Sequence, residues 1–181
     1  GAGLLPRPVV EYAYNADGLA SAITETTSAA GAPRLVTSYT YANGQLASIT
    51  YPDPDGAGPL RSPVTEMVYS NGLLTGVYEK SADPSGPARF TQHVYDEMNR
   101  VRKTVYPDPD GAGALPSPVE RYYFDGAGRM HRVREQTTNA NDPSLDTDYT
   151  FDVLGRVTSV KRPDPDTLGG TNRPTTSTTY F

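Results

Sequence analysis

The chain has no cysteine and no tryptophan, and only two histidines and three methionines. Without cysteine there can be no disulfide framework, thiol nucleophile or Cys-based zinc finger. There is also no cluster of lysine and arginine. With a formal net charge of −5, the chain lacks the basic surface that nucleic-acid binding rests on. No apolar run approaches the roughly 18 residues that would suggest a membrane-spanning helix, so no membrane insertion is expected. No secretory leader pattern follows Gly1. No amphipathic helical stretch of useful length stands out. What is abundant is 17 Gly, 17 Pro and 13 Tyr. Turn formers mixed with Tyr, Val and Thr favour many short strands. A length of 181 residues suffices for one ordinary domain with a sizeable core.

Internal repetition dominates. GAGLLPRPVVEYAY at 1–14, GAGPLRSPVTEMVY at 56–69 and GAGALPSPVERYYF at 111–124 recur at a spacing of 55 residues. A looser copy, LGGTNRPTTSTTYF, occupies 168–181. Each long period splits into two shorter units: an aromatic residue, a turn containing Gly or Asn, then a strand. The aromatics are Tyr14, Tyr41, Tyr69, Tyr95, Phe124 and Phe151, separated by 27, 28, 26, 29 and 27 residues. Phe181 is placed to open a seventh copy.

Each unit reads as a hairpin. Asn43-Gly44 and Asn71-Gly72 are two-residue turns that tolerate positive φ at both positions. Gly18, Asn99, Gly128 and Gly155 suit a longer turn that ends in a left-handed residue. Turns are therefore expected near 15–18, 42–44, 70–72, 96–99, 125–128 and 152–155. Aromatics sit two apart before several turns, as in Tyr12/Tyr14, Tyr39/Tyr41, Tyr122/Phe124 and Tyr149/Phe151, so each pair shares one strand face. After the turn the apolar residues stand two and five positions past the Gly: Leu46 and Ile49, Leu74 and Val77, Met130 and Val133, Val157 and Val160. Those offsets have opposite parity. Either a bulge intervenes or both faces are partly buried, and the pattern leaves both open.

The fold expected is all-β: tandem antiparallel hairpins building one curled or spiralling sheet, a segment of a shell or open barrel. Residues 1–181 read as a single repeat array of six hairpin units. The chain opens inside a long loop and stops where the next turn should begin. It is therefore expected to be a piece of a longer array, its edges covered by flanking repeats or by identical copies.

The motif Phe151-Asp152-Val153-Leu154-Gly155-Arg156-Val157-Thr158-Ser159-Val160 resembles the YD-repeat, or Rhs-repeat, signature. Phe124-Asp125-Gly126-Ala127-Gly128-Arg129-Met130 and Tyr95-Asp96-Glu97-Met98-Asn99-Arg100-Val101 carry it too. The three earlier copies depart from it, with Leu19, Gln45 and Leu73 where the pattern has Arg. No match to the family's self-cleaving segment is present. The family includes bacterial Rhs and wall-associated proteins, the BC subunits of toxin complexes, and teneurins. The resemblance implies a strip of sheet in the wall of a hollow shell, extracellular or at the cell surface, enclosing a toxin domain in the bacterial toxins.

Sharper chemistry has weak support. Asp53 and Asp55, and Asp108 and Asp110, are carboxylates two apart beside Gly, but calcium needs six to eight oxygens; an Asp/Pro/Gly turn is the plainer reading. His93 and His131 fall on strands of different repeats with no accompanying triad, and read as sheet-face residues. No pair of carboxylates is singled out for glycoside hydrolysis. The expectation is a non-enzymatic scaffold without cofactor or metal. The alternative is an adhesion module or a glycan-binding surface built on the many Tyr rings.

Overall fold

The computed structural model describes residues 7–26, 33–111, 113–139, 144–164 and 173–180. It is all-β, with thirteen antiparallel strands and no helix among those residues. Parts of the Glu25 and Glu135 loops, the last Asp-Pro-Asp loop and Phe181 lie outside the described residues. The chain forms two compact units, Gly1–Arg89 and Phe90–Phe181.

The first unit carries β1 (Val9–Tyr14), β2 (Ala20–Thr26), β3 (Leu35–Ala42), β4 (Gln45–Thr50), β5 (Val64–Ser70) and β6 (Leu73–Lys80). The second carries β7 (Arg89–Tyr95), β8 (Val101–Val105), β9 (Val119–Phe124), β10 (Met130–Gln136), β11 (Leu145–Phe151), β12 (Val157–Lys161) and β13 (Thr175–Ser177), with Arg89 the last residue of the first unit. Within each unit every strand pairs antiparallel with its neighbours in the chain. Local pairing of this kind follows from the turns: each hairpin closes over two or five residues, so strand order needs no crossover.

The parity question is resolved by a bulge in every hairpin. Tyr41 pairs with Leu46 and Thr40 with Ser48, which leaves Ala47 as the extra residue. The same break leaves out Ser21, Thr75, Arg102, His131 and Thr158. In each case it is the third residue past the left-handed position. The added residue restores the parity of the two apolar positions. Leu46 then faces Tyr41 while Ile49 faces Tyr39. Met130 faces Phe124 while Val133 faces Tyr122, and Val157 faces Phe151 while Val160 faces Tyr149. In these three hairpins one sheet face is thus aromatic and aliphatic. The opposite face carries residues such as Thr40, Ser48, Arg132 and Asp148.

The sizeable core that the length suggested is absent: among the described residues no hydrophobic side chain is buried, and the one buried polar residue is Thr104. A single layer of strands explains this, because apolar burial needs a second layer against the face. The aromatic face is half-buried by cross-strand neighbours alone. Tyr12 and Tyr14 on β1 remain 59% and 64% exposed. Thr158 is the half-buried bulge residue of its hairpin, with its hydroxyl 3.0 Å from that of Thr150.

Candidate functional site

The turns are the most regular chemistry in the molecule. Gly18, Gly44, Gly72, Gly128 and Gly155 have φ between 76° and 81°, and Asn43, Asn71 and Asn99 have φ of 52°, 51° and 60°. All eight residues singled out for left-handed backbone therefore occupy it. In the longer turns an Asn or Asp side chain closes the loop on itself. Asp125 Oδ1 accepts from the amides of Ala127 and Arg129, each at 2.9 Å. Asp152 accepts from Leu154 and Arg156 at 2.9 Å, and Asp96 from Met98 at 2.9 Å and Arg100 at 3.0 Å. Asn15 does the same for Asp17 and Leu19. These are Asx turns, in which the short side chain takes the place of a backbone acceptor.

In the three copies that match the repeat signature, the second carboxylate oxygen receives the Arg four residues on. The Nε···Oδ2 distances are 2.8 Å for Arg100–Asp96, 2.8 Å for Arg129–Asp125 and 2.7 Å for Arg156–Asp152. The same guanidinium then covers an aromatic ring of the following hairpin. Arg100 lies 4.1 Å from the Phe124 ring centre, Arg129 4.8 Å from Phe151, and Arg156 4.3 Å from Tyr180. Each Arg is held flat by its carboxylate, so its planar face is free to stack. Arg129 Nη1 also donates to the backbone oxygen of Asp152 in the next turn at 3.2 Å. The backbone amide of the Arg, reinforced by its guanidinium, holds Asp96 and Asp125 below the usual carboxylate range. Asp152 is lowered in the same way by the Arg156 amide.

The copies without Arg use other links. Gln45, at the Arg position, donates to the backbone oxygen of Gly72 in the next turn at 3.0 Å. The Tyr41 hydroxyl donates to Ala20 O at 2.9 Å, and the Tyr180 hydroxyl to Val157 O at 2.9 Å. Ala20 and Val157 are both the second residue past a left-handed Gly. Phe181 had been expected to open the next copy. It lies outside the described residues, and the ring that receives Arg156 is Tyr180.

A second constellation escaped the sequence reading. On the polar face of the second unit, Arg132 pairs in register with Asp148, and Arg134 with Asp146. Arg134 makes two bonds to Asp146, at 2.7 and 2.8 Å. Arg173, just before β13, places Nη1 2.6 Å from Asp148 Oδ2 and donates to the backbone oxygens of Lys161, Arg162 and Asp146. The Arg134 guanidinium lowers the Asp146 pKa. Burial pushes Asp148 upward, and bonds from Arg132 and Arg173 more than reverse this. The signal was present as Arg-x-Arg and Asp-x-Asp, both of period two.

The Asp-Pro-Asp-Gly carboxylates are engaged within their own loops. Asp53 Oδ1 accepts from the amides of Asp55 and Gly56 at 3.1 and 2.9 Å, and Asp55 Oδ2 from Leu60 at 3.2 Å. Asp110 Oδ2 takes Leu115 at 3.2 Å in the equivalent loop. A Cβ on Gly58 would stand 2.0 Å from Asp55 Oδ2, and one on Gly113 1.9 Å from Asp110 Oδ2. His93 Nδ1 lies 3.3 Å from the Thr104 hydroxyl, and His131 is the bulge residue of β10. Among the described residues neither histidine joins a carboxylate and a nucleophile.

No family model and no curated protein matches the chain. Its fold does match solved structures. A crystal structure of TcdB2-TccC3 without its hypervariable C-terminal region superposes with a TM-score of 0.68 at 17% identity, over 94% of this chain. A crystal structure of TcdB2-TccC3 gives 0.67 at 18% identity, again over 94%. This chain spans 9% of the length of either one. At such identity the likeness defines the class of fold alone, an all-β array of antiparallel hairpins of the kind found in these TcdB2-TccC3 chains.

Proposed function

We propose that the chain is a structural segment of a YD-repeat shell wall, a scaffold without catalytic activity of its own. The observation that carries this reading is the repeated clamp in which a turn Asp orients an Arg onto the aromatic ring of the next hairpin. Its polar groups are spent on joining one repeat to the following one. A wall needs such links, because a single layer of strands has no core to hold its repeats in register. The likeness to TcdB2-TccC3 chains adds a precedent for this fold as a small part of a much longer protein. In this reading the working environment is extracellular or at the cell surface, the immediate partners are flanking repeats, and the enclosed cargo is a toxin domain.

The test uses the parent chain containing this segment. Electron microscopy should show a hollow particle, and a C-terminal domain should resist protease until the particle is denatured. An extended, solid or open assembly with a freely digested C-terminal domain refutes the encapsulation reading. Reproducible turnover of a peptide, glycoside or phosphoester by this segment, abolished by one substitution, refutes the scaffold reading.

A further inference from the structure

The polar face of the second unit carries its charges in rows, because antiparallel register sets the side chains of neighbouring strands opposite one another. In one row Tyr123, Arg132, Asp148, Lys161 and Thr175 stand in turn across β9 to β13, so the carboxylate lies between two cations. In the adjoining row the order is Val94, Lys103, Arg121, Arg134 and Asp146 across β7 to β11. Three cations are adjacent there, and one carboxylate closes the row. Asp146 is taken by the two bonds from Arg134. Among the described residues, Lys103 and Arg121 make no ion pair. Arg121 donates from Nη1 to Gln136 Oε1 at 3.3 Å, which leaves the rest of its five-donor fork open.

We propose that Lys103 and Arg121 form a binding site for one phosphate monoester group. Residues directly opposite on antiparallel strands have Cβ atoms about 4.5–5.5 Å apart, so both cationic heads reach a single tetrahedral oxyanion. A phosphate monoester carries a charge of about −1.5 to −2 at neutral pH, which matches the two cations. A carboxylate or a sulfate ester brings one charge and leaves the second cation unmatched. The guanidinium fork takes two of the oxygens, and the ammonium supplies a point charge. Without a ligand the pair is unfavourable. Like charges directly opposite destabilise a sheet, and both side chains are half-buried. Their surroundings strengthen the field of the two charges. Val105 and Val119 pair beside them, Val94 stands beyond Lys103, and Tyr123 lies two residues along the strand from Arg121. An apolar border of this kind screens charge less than water does, and it offers contact to the carbon body of an ester.

The rest of the face works in the same direction. Arg132, Arg134, Lys161 and Arg173 share it with two carboxylates, Asp146 and Asp148. The result is a local excess of positive charge on a chain whose net charge is −5, and such a field draws anions toward it. No run of Lys and Arg announces this patch, because strand register gathers it from separate segments. The first unit supplies a contrast: Lys80 on its polar face is held by Glu66 at 2.6 Å. The site is independent of the scaffold reading, since a wall segment can carry an anion site or lack one.

The experiment is an amide-resolved NMR titration of the full chain at constant pH and ionic strength. The probes are phenyl phosphate, phenyl sulfate, which has the same body with one charge fewer, and inorganic phosphate. Phenyl phosphate should bind in the low millimolar range and shift amides of β8 and β9 around Lys103 and Arg121. Phenyl sulfate should bind about threefold more weakly, as one exposed charge interaction is lost. Arg121→Gln should weaken phenyl phosphate about tenfold, and Lys80→Gln should leave its affinity unchanged. A preference for phenyl phosphate over inorganic phosphate supports an ester as the ligand, and equal affinity supports the free ion at the same two cations. Melting curves show that each variant folds. Should Arg121→Gln fail to fold, Lys103→Gln removes the other cation from a different strand. No shift on β8 or β9 at millimolar phenyl phosphate overturns the proposal. So does binding that survives both substitutions, or phenyl sulfate binding as tightly as phenyl phosphate.

Discussion

Gly155 and Gly126 make a matched pair for testing what the turns require. A Cβ built on either one meets nothing within 4 Å, so sterics against neighbours cannot separate them. They differ in backbone: Gly155 has φ +81°, whereas Gly126 is not in the left-handed region. An L-residue in that region costs about 1–2 kcal/mol. Replacing Gly by Ala also removes freedom from the unfolded chain, which favours folding by about 0.4–1 kcal/mol wherever the backbone is compatible. Gly126→Ala should therefore gain that amount, while Gly155→Ala should lose on balance up to about 1.5 kcal/mol. Their difference is about 1–2 kcal/mol. At about 2–4 °C per kcal/mol for a chain of this size, their melting midpoints should lie about 2–8 °C apart. Gly155→Val should fall further, because a branched side chain fits that region worse, and it should fall well below Thr158→Val. Calorimetric melts of the variants under one buffer condition give the answer. Coincident midpoints for Gly126→Ala and Gly155→Ala would show that the turn relaxes out of the left-handed region, and the strain argument would be refuted.

Three further outcomes follow from the same geometry. Asp96, Asp125 and Asp152 have folded-state pKa values below the usual value of about 3.9. Their stabilisation is complete above that usual value and is lost as pH falls through the lower folded value. Melting midpoints should drop steeply below about pH 4, and less steeply in a triple Asp→Asn variant; an unchanged slope counts against the clamps. Arg129→Met removes the guanidinium from the Phe151 ring and should cost about 0.5–1 kcal/mol in a denaturant titration. Arg129→Lys should recover little of that, since an ammonium lacks the flat fork, and full recovery by Lys would show that charge alone suffices. Asp148→Asn leaves Arg132 and Arg173 without their shared carboxylate. With Arg132 partly exposed, the loss should be about 1–2 kcal/mol and shrink with added salt; insensitivity to salt would argue that the cluster is not electrostatic.

The features legible in the sequence are those decided within a few residues. Asn43-Gly44 and Asn71-Gly72 specify their turns because only certain residues accept positive φ, whatever surrounds them. Tyr39/Tyr41 and Tyr122/Phe124 specify a shared face because strand geometry alternates. The repeat then multiplies each local signal, and hairpin after hairpin makes sequential pairing the simplest topology. The tertiary structure alone decided what depends on register between separate segments. Two apolar positions of opposite parity admit a bulge or two half-buried faces, and only pairing with the preceding strand selects the bulge at Ala47 or His131. Arg129 meets Phe151, and Arg173 meets Asp148, across more than twenty residues, so no local periodicity announces either contact. That no apolar side chain is buried among the described residues was likewise invisible, because composition counts apolar residues but cannot say whether a second layer covers them.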